Sequence, residues 1–478
     1  MPESPLSLAV VGHTNTGKTS LMRTLTRDAG FGEVSGSPST TRQVEGVALQ
    51  VDGRRIVDLY DTPGLEDAGR LIEVLDQIGG ERHDGPSRIE SFLSSPQADQ
   101  LFEQEARVLR QLLASAAALY IIDAREPVLG KYQDELAILT MCARPVLPVL
   151  NFTASSSARS EQWREALARV NLHAVAEFDT VVFSVEAETK LWQRLINLLD
   201  QRGDALQDLI AHRNQQALFQ QAAAMRIVSE LLIDVAGCER TADKDDAAAQ
   251  QQASQALQRA VRSAEQDTIK QLLDLFHFTP SDVALLELPI QDGQLRGDLF
   301  DQQVLQYYAL RVGRGAGAGA AAGAAVDVAT GGLSLGAGTV IGTLLGTGIG
   351  TGLASGRNLV DKARGRIRLQ IDDPTLTYLA GRQLRLIRAL QQRGHASLTP
   401  EQLDNEESEP TSIWPKDRLP NAVFKARLKP AISRLNNETS LQNAARERLA
   451  AELAQVINPE QATNTNRQVD NGSSPRLA

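Results

Sequence analysis

The run Gly12-His13-Thr14-Asn15-Thr16-Gly17-Lys18-Thr19, closed by Ser20, constrains this chain more than any other feature. Its glycines and its Lys-Thr pair have the spacing of a phosphate-binding loop. An apolar stretch from Leu6 to Val11 precedes it and reads as a buried strand, and a helical pattern from Thr19 to Leu25 follows. In that context the glycines let the backbone curl, so that successive N–H groups and the helix N-terminus point at phosphate oxygens. Lys18 reaches the outer phosphates as a point charge, and the Thr19 hydroxyl is placed to ligate magnesium. Gly12, Asn15, Thr16, Gly17 and Ser20 complete the candidate nucleotide-binding run.

Further motifs follow in chain order. Ser39-Thr40-Thr41-Arg42 lies on a Ser/Pro/Gly-rich loop, where a threonine can sense magnesium and a third phosphate; Thr41 is favoured, with Thr40 as the fallback. Val44–Val51 and Arg54–Tyr60 flank Asp52-Gly53 and read as a hairpin. The second of these strands runs into Asp61-Thr62-Pro63-Gly64. There the Asp61 carboxylate can hold magnesium, usually through water, and Gly64 offers its N–H to the third phosphate. Strands and helices alternate over residues 1–200, the pattern of a doubly wound α/β domain. The long polar stretch from Glu66 to Ser115 interrupts that plan. Arg88, Ile89, Phe92 and Leu93 would share one helix side there, and Val108, Leu109, Leu112 and Leu113 another. The stretch reads equally as an enlarged second switch region (about 66–115) or as a passive surface helix pair.

On Gly12–Ser20, Ser39–Arg42, Asp61–Leu65 and the strand Leu119–Asp123 with Ala124-Arg125, the first 200 or so residues resemble a bacterial P-loop GTPase of the TrmE–Era type. The arrangement is similar to a family that joins this domain to an uncharacterised C-terminal region. The resemblance implies GTP and GDP as ligands, Mg2+ held by Thr19, Thr41 and Asp61, and hydrolysis served by Lys18, Thr41 and Gly64. It also implies K+ beside Asn15 and dimerisation of the GTPase domains, with a role in tRNA modification or ribosome assembly, or as a nucleotide-binding scaffold of altered base specificity, as the alternatives. After residue 200 nothing resembles the RNA-binding domain of Era or the terminal cysteine motif of TrmE, so RNA or the ribosome as partner has no support outside the GTPase domain. Leu65 stands where Ras-type enzymes carry a water-orienting glutamine, so slow intrinsic hydrolysis is expected; Glu66 and Asp67 are the nearby groups that could position water. The base-recognition motif Asn-Lys-x-Asp of the family is here Asn151-Phe152-Thr153-Ala154, which keeps the asparagine and loses the carboxylate. Phe152 can stack on a base, and Ser184 fits a later strand-end motif. Guanine is the favoured base, with an adenine-accepting or promiscuous site as the alternative.

A chain of 478 residues is too long for one core and predicts two or three domains. Its formal charge of −10 argues against nonspecific nucleic-acid binding by the whole chain. Two cysteines, Cys142 and Cys238, provide no disulfide framework and suit a reducing, cytoplasmic setting. The histidines show no metal-ligand spacing, and the short polar Met1–Pro5 reads as no leader. Beyond Lys190 the strands are expected to stop. Leu191–Ala236 and Asp246–Phe276 read as long helices, joined by a polar connection at Thr241–Ala248. The expected division is a helical domain at 201–312, a glycine-zipper hairpin at 313–356, a helical part at 357–457 and a disordered tail at 458–478.

The segment Gly313–Gly356 carries glycines at every fourth residue, Gly315, Gly319, Gly323 and again Gly338, Gly342, Gly346, Gly350. On a helix that spacing makes a groove for close approach of another helix. It must be compensated by packing, because each glycine costs a soluble helix about 1 kcal/mol relative to alanine. No charge occurs from Val328 to Gly356, while Arg311 and Arg314 precede the segment and Arg357, Lys362, Arg364, Arg366 and Arg368 follow it. Length and flanks suggest attachment of 313–368 to an anionic membrane surface, at the inner face of the cytoplasmic membrane. Asp327 and the weak hydrophobicity of Gly and Thr favour instead a packed soluble hairpin. Both readings stay open. Farther on, Leu376–Gln392 reads as an amphipathic helix, and Trp414-Pro415 and Pro420–Leu441 as segments docking on the body.

Overall fold

The computed structural model describes residues 4–27, 45–78, 84–199, 203–278, 290–291, 294–295, 298–300, 365–392, 414, 419–436 and 443–458. The Ser39–Arg42 loop with Thr41, the glycine-rich segment 313–356, its flanking Arg311, Arg314, Arg357, Lys362 and Arg364, and the tail from 459 onward lie outside the described residues. The chain forms two compact units. One holds Met1–Leu218 with Pro280–Leu286 and Gln391–Pro400; the other holds Phe219–Thr279, Glu287–Leu390 and Glu401–Ala478.

The first unit is built on a six-stranded sheet ordered β2-β3-β1-β4-β5-β6. Its strands are β1 (Leu6–Val11), β2 (Glu45–Val51), β3 (Arg54–Asp61), β4 (Ala117–Asp123), β5 (Val146–Asn151) and β6 (Ala176–Glu177). Only β2 runs antiparallel, against β3; every other pair is parallel. Strands covered on both faces should read as continuous apolar runs, and all seven residues of β4 are buried. The pleat then divides them. Leu8, Val10, Leu119 and Ile121 face one core with Leu21, Met22, Trp192 and Leu195. Ala9, Val11, Tyr120 and Ile122 face the other with Leu109, Leu136 and Trp163. Two cores on opposite faces make the sheet doubly wound, as the alternation of elements predicts.

The first core is closed by α1 (Lys18–Thr26), α8 (Val185–Leu198) and the start of α9 (Gly203–Gly237). The second is closed by α2 (Ala68–Gln77), α3 (Gly85–Leu93), α4 (Pro96–Gln100), α5 (Glu103–Ala114), α6 (Gly130–Met141) and α7 (Ser160–Arg169). Helices α2 to α5 are the long interruption between β3 and β4. Its predicted apolar sides are real: Ile89, Phe92, Val108, Leu109 and Leu112 are buried. The α3 start follows its sequence, with Asp84 accepting from Ser87 N and a proline in the first turn.

The second unit is largely helical, with the last part of α9, α10 (Ala247–Leu275), α11 (Asp373–Gln392), α12 (Asn421–Arg427) and α13 (Ala444–Ile457). Strands do not stop at Lys190, which corrects the sequence expectation. Glu239–Asp243 (β7), which runs into the expected polar connection, pairs antiparallel with Arg366–Gln370 (β10), which starts in the expected basic flank. A short hairpin joins Ile290–Gln291 (β8) to Gln294–Leu295 (β9). In β7 only Ala242 is buried, so no apolar alternation announces the strand; backbone pairing and the Arg368–Glu239 ion pair hold it. Buried ionic groups answer one another in this unit. Arg446, almost fully buried, pairs with Asp234 at 2.6 Å and Glu230 at 3.2 Å. Arg382 pairs with Glu265, which also accepts from Gln383. Trp414 docks as expected, its indole N–H donating to Thr377 Oγ1 at 2.9 Å.

Among the described residues no helix is long and apolar enough to cross a membrane, and no His/Cys/Asp/Glu group has metal-site spacing.

Candidate nucleotide site

The C-terminal ends of β1, β4 and β5 lie side by side, and the loops that leave them form the site. This is where open α/β sheets place ligands. The loop after β1 is held open by glycine. Gly12 and Gly17 have φ of 146° and 93°, and a Cβ on either would stand 2.5 Å from Ile121 O or 2.3 Å from Asn151 Nδ2. Asn15, at the loop tip, is itself left-handed with φ of 64°. Thr16 turns its hydroxyl back onto His13 O at 2.9 Å.

Lys18 opens α1 and is buried. Its Nζ donates to Gly12 O at 3.1 Å and to His13 O at 2.8 Å, two carbonyls of its own loop. Burial lowers the Lys18 pKa, and Asp61, Glu135 and Glu66 pull it back only in part. Beside it Thr19 Oγ1 donates to Asp61 Oδ2 at 2.6 Å, so the hydroxyl and carboxylate expected to share magnesium are in contact. Both are oxygen donors, the set that a hard divalent cation takes. Gly64 lies so close to the loop that a Cβ there would stand 2.3 Å from Thr14 Oγ1. The same Thr14 hydroxyl donates to Glu66 Oε1 at 2.6 Å, while Leu65 is buried and apolar.

His13 carries a contact that sequence reading missed. Its Nδ1 lies 2.6 Å from Glu135 Oε1 and 3.2 Å from Leu65 O, and Lys131 Nζ lies 3.0 Å from its Nε2. An ammonium can only donate, so Nε2 accepts and Nδ1 carries the proton toward Glu135. The Tyr120 hydroxyl donates to the second Glu135 oxygen at 2.8 Å. Burial and this carboxylate push the Tyr120 pKa well up.

The base end is organised by Asn151. Its Nδ2 donates to Thr16 O at 3.0 Å, and its Oδ1 accepts from Phe152 N, Thr180 N and Thr180 Oγ1. Phe152 is left-handed, with φ of 58°, and its ring edge would lie 3.4 Å from a Cβ on Gly17. The Arg125 guanidinium sits 4.0 Å over that ring and is forked onto Asp123 at 2.9 and 2.7 Å. Asp179 accepts from Ala154 N, Val181 N and Val182 N. The structure thus brings Gly12, Asn15, Thr16, Gly17, Lys18, Thr19, Asp61, Gly64, Asn151 and Phe152 together. Ser20 follows Thr19 in α1, whereas Ser184 serves as the N-cap of α8, accepting from Ala187 N, and Thr180 is the residue that reaches Asn151. Nothing in the local sequence marks Thr180 or Asp179. Arg125 follows a strand end whose Asp-Ala-Arg was visible, but its partner Phe152 comes from the next strand's loop.

Residues 7–152 match the family model described as 50S ribosome-binding GTPase, and residues 164–455 match one described as Domain of unknown function (DUF3482). The first unit accordingly carries a P-loop GTPase domain. No curated protein matches the chain. Among solved structures it is similar to an Era variant from Aquifex aeolicus bound to GDP.AlF4-, at 18% identity over 40% of this chain and 56% of that one, with a TM-score of 0.28. Era in complex with MgGDPNP and nucleotides of 16S ribosomal RNA matches at 16% identity over the same 40% and 56%, with a TM-score of 0.29. The G domain of the T. maritima FeoB iron transporter matches at 17% identity over 40% of this chain and 99% of its own, with a TM-score of 0.24. The chain thus spans little more than half the length of the Era chains that it matches.

Proposed function

The chain belongs to the family described as Domain of unknown function (DUF3482), and because that description assigns no reaction, we propose one from the N-terminal site. The protein is a GTP-binding switch that hydrolyses GTP to GDP and phosphate. One observation carries the proposal. The buried Lys18 ammonium rests on two loop carbonyls, next to the Thr19–Asp61 pair, at the mouth of a loop that only glycine can form. A buried cation held by backbone oxygens can exchange them for phosphate oxygens, which are stronger partners.

Thr19 and Asp61 would hold Mg2+, joined by Thr41, and the ion would neutralise charge on the outer phosphates. Lys18 and the loop N–H groups stabilise the phosphoryl group as charge shifts toward the leaving diphosphate. The Gly64 N–H meets the third phosphate, and its loss on hydrolysis releases the adjoining segment. Leu65 can neither orient nor deprotonate water, so unassisted turnover is slow. K+ beside Asn15 is the cation expected to raise it. The protein acts in the cytoplasm, with residues 313–368 as the part that meets an anionic membrane surface. A ribosomal role is the second reading, favoured by the description of the model that matches residues 7–152.

Phosphate release from GTP with Mg2+, in K+ and in Na+ buffers, tests the proposal. Wild type turns over, faster in K+, and Lys18→Ala loses about two to three orders of magnitude in rate. No release by wild type, or equal release by the variant, overturns the enzymatic reading. Sedimentation with anionic liposomes, lost on deleting 315–354, separates the membrane reading from a ribosomal one.

A further inference from the structure

Among the described residues, the side-chain acceptors of Asn151, Asp179 and Asp123 already carry donors. Ala154 contributes no polar side chain, and Asn151 Oδ1 already serves three donors from Phe152 and Thr180. Asp179 Oδ1 accepts from Val181 N and Val182 N, and its Oδ2 accepts from Ala154 N. Asp123 is engaged by the Arg125 fork and by the Arg125 amide. What the site presents is a donor. Arg125 lies over the Phe152 ring, fixed through Nε and Nη2, with its side chain nearly half exposed. The remaining N–H groups of that guanidinium are available in a set orientation.

Position links this donor to a nucleoside. Asp123 and Asn151 are partners in register at the ends of β4 and β5, so Arg125 and Phe152 leave adjacent strand ends. Asn151 ties the second of these loops to the phosphate loop at Thr16, and Phe152 lies against Gly17. A nucleoside whose phosphates sit on Gly12–Thr19 therefore meets the Phe152–Arg125 stack. The left-handed Phe152 backbone is held by the Asn151 bond, so the platform is set before any ligand arrives.

Resting on the nucleotide-binding reading above, we propose that Arg125, stacked on Phe152 and locked by Asp123, selects 6-oxopurine nucleotides through their O6 and N7 acceptors and leaves the 2-amino group unread. Guanine and hypoxanthine both present those two acceptors on one edge, whereas adenine replaces one of them with an amino donor. The 2-amino group of guanine needs an acceptor, and Ala154 offers no side-chain carboxylate for it. GDP and inosine diphosphate are thus equivalent ligands, and ADP is rejected.

Calorimetric titration of the full chain in Mg2+ with GDP, inosine diphosphate, ADP and pyrophosphate tests this. GDP and inosine diphosphate should agree within about threefold, with ADP weaker by roughly tenfold or more. Arg125→Met keeps an apolar stem on Phe152 but removes the donors. It should erase the GDP-over-ADP ratio and leave pyrophosphate affinity unchanged, an outcome that loss of a merely structural contact would not produce. Inosine diphosphate binding tenfold weaker than GDP, ADP binding as tightly as GDP, or an unchanged ratio in Arg125→Met each overturns the inference while leaving the GTPase proposal standing. Failure of every nucleotide and of pyrophosphate to bind removes both.

Discussion

Both units bury charge, but the Lys18 ammonium of the first is partnered unlike the buried arginines of the second. In the second unit each buried cation just described meets a carboxylate: Arg446 meets Asp234 and Glu230, and Arg382 meets Glu265. In the first, Lys18 donates to main-chain carbonyls of the loop it supports. The titration shifts follow that contrast. Burial works to lower both bases, but Asp234 and Glu230 outweigh it and hold Arg446 above its ordinary value, whereas Lys18 stays below its own. A buried charge matched by protein carboxylates belongs to the fold. One resting on replaceable backbone oxygens is poised for a ligand.

The contrast is broken most easily at Arg446. Arg446→Ala leaves the buried Asp234 carboxylate without its ion-pair partner, while Glu230 keeps Arg226, and should cost about 3–5 kcal/mol in denaturant unfolding. Nucleotide affinity should hold; if it falls in step with stability, the separation between structural and functional charge fails. Asn151→Ala lies between the two classes. It removes bonds to Thr16, Phe152 and Thr180, so about 1–3 kcal/mol should be lost in stability and GDP affinity should weaken with it. Loss of one without the other would place Asn151 wholly in one class.

Asp372 sharpens the structural side, with the smallest effect. Burial raises its pKa, although bonds from Thr375 and the charge of Arg427 oppose the shift. A raised folded value means that its contribution to stability is full below the ordinary carboxylate range and is lost as pH rises through the folded value. Thermal melts across that window should show wild type losing stability with rising pH, and Asp372→Asn losing less. Equal slopes would show that this carboxylate does not contribute.

The phosphate end was legible because its chemistry is local. Gly12 to Thr19 spell loop, cation and helix start in one run, and β1 before it is apolar as a strand buried on both faces must be. At the base end only Asn151 and Phe152 were legible. Asn151 meets Thr16 from 135 residues away and Thr180 from 29, and Arg125 meets Phe152 only because β4 and β5 are neighbours. Ser184 matched a strand-end pattern in sequence, yet β6 ends seven residues earlier, at Glu177, and the residue at Asn151 is Thr180. The His13–Glu135 contact joins residues 122 apart, which no motif records. In the second unit, β7 and β10 escaped notice because their pairing is backbone and charge, with little apolar alternation to read.

Calorimetric titration of wild type and Lys18→Ala with GDP in Mg2+ decides whether the Lys18 ammonium is poised for a nucleotide phosphate. Wild type should bind at one site per chain, and the variant about a hundredfold more weakly without loss of thermal stability, because it removes a desolvated ammonium. Absence of binding by folded wild type, or equal affinity in the two proteins, would show that Lys18 has no such role.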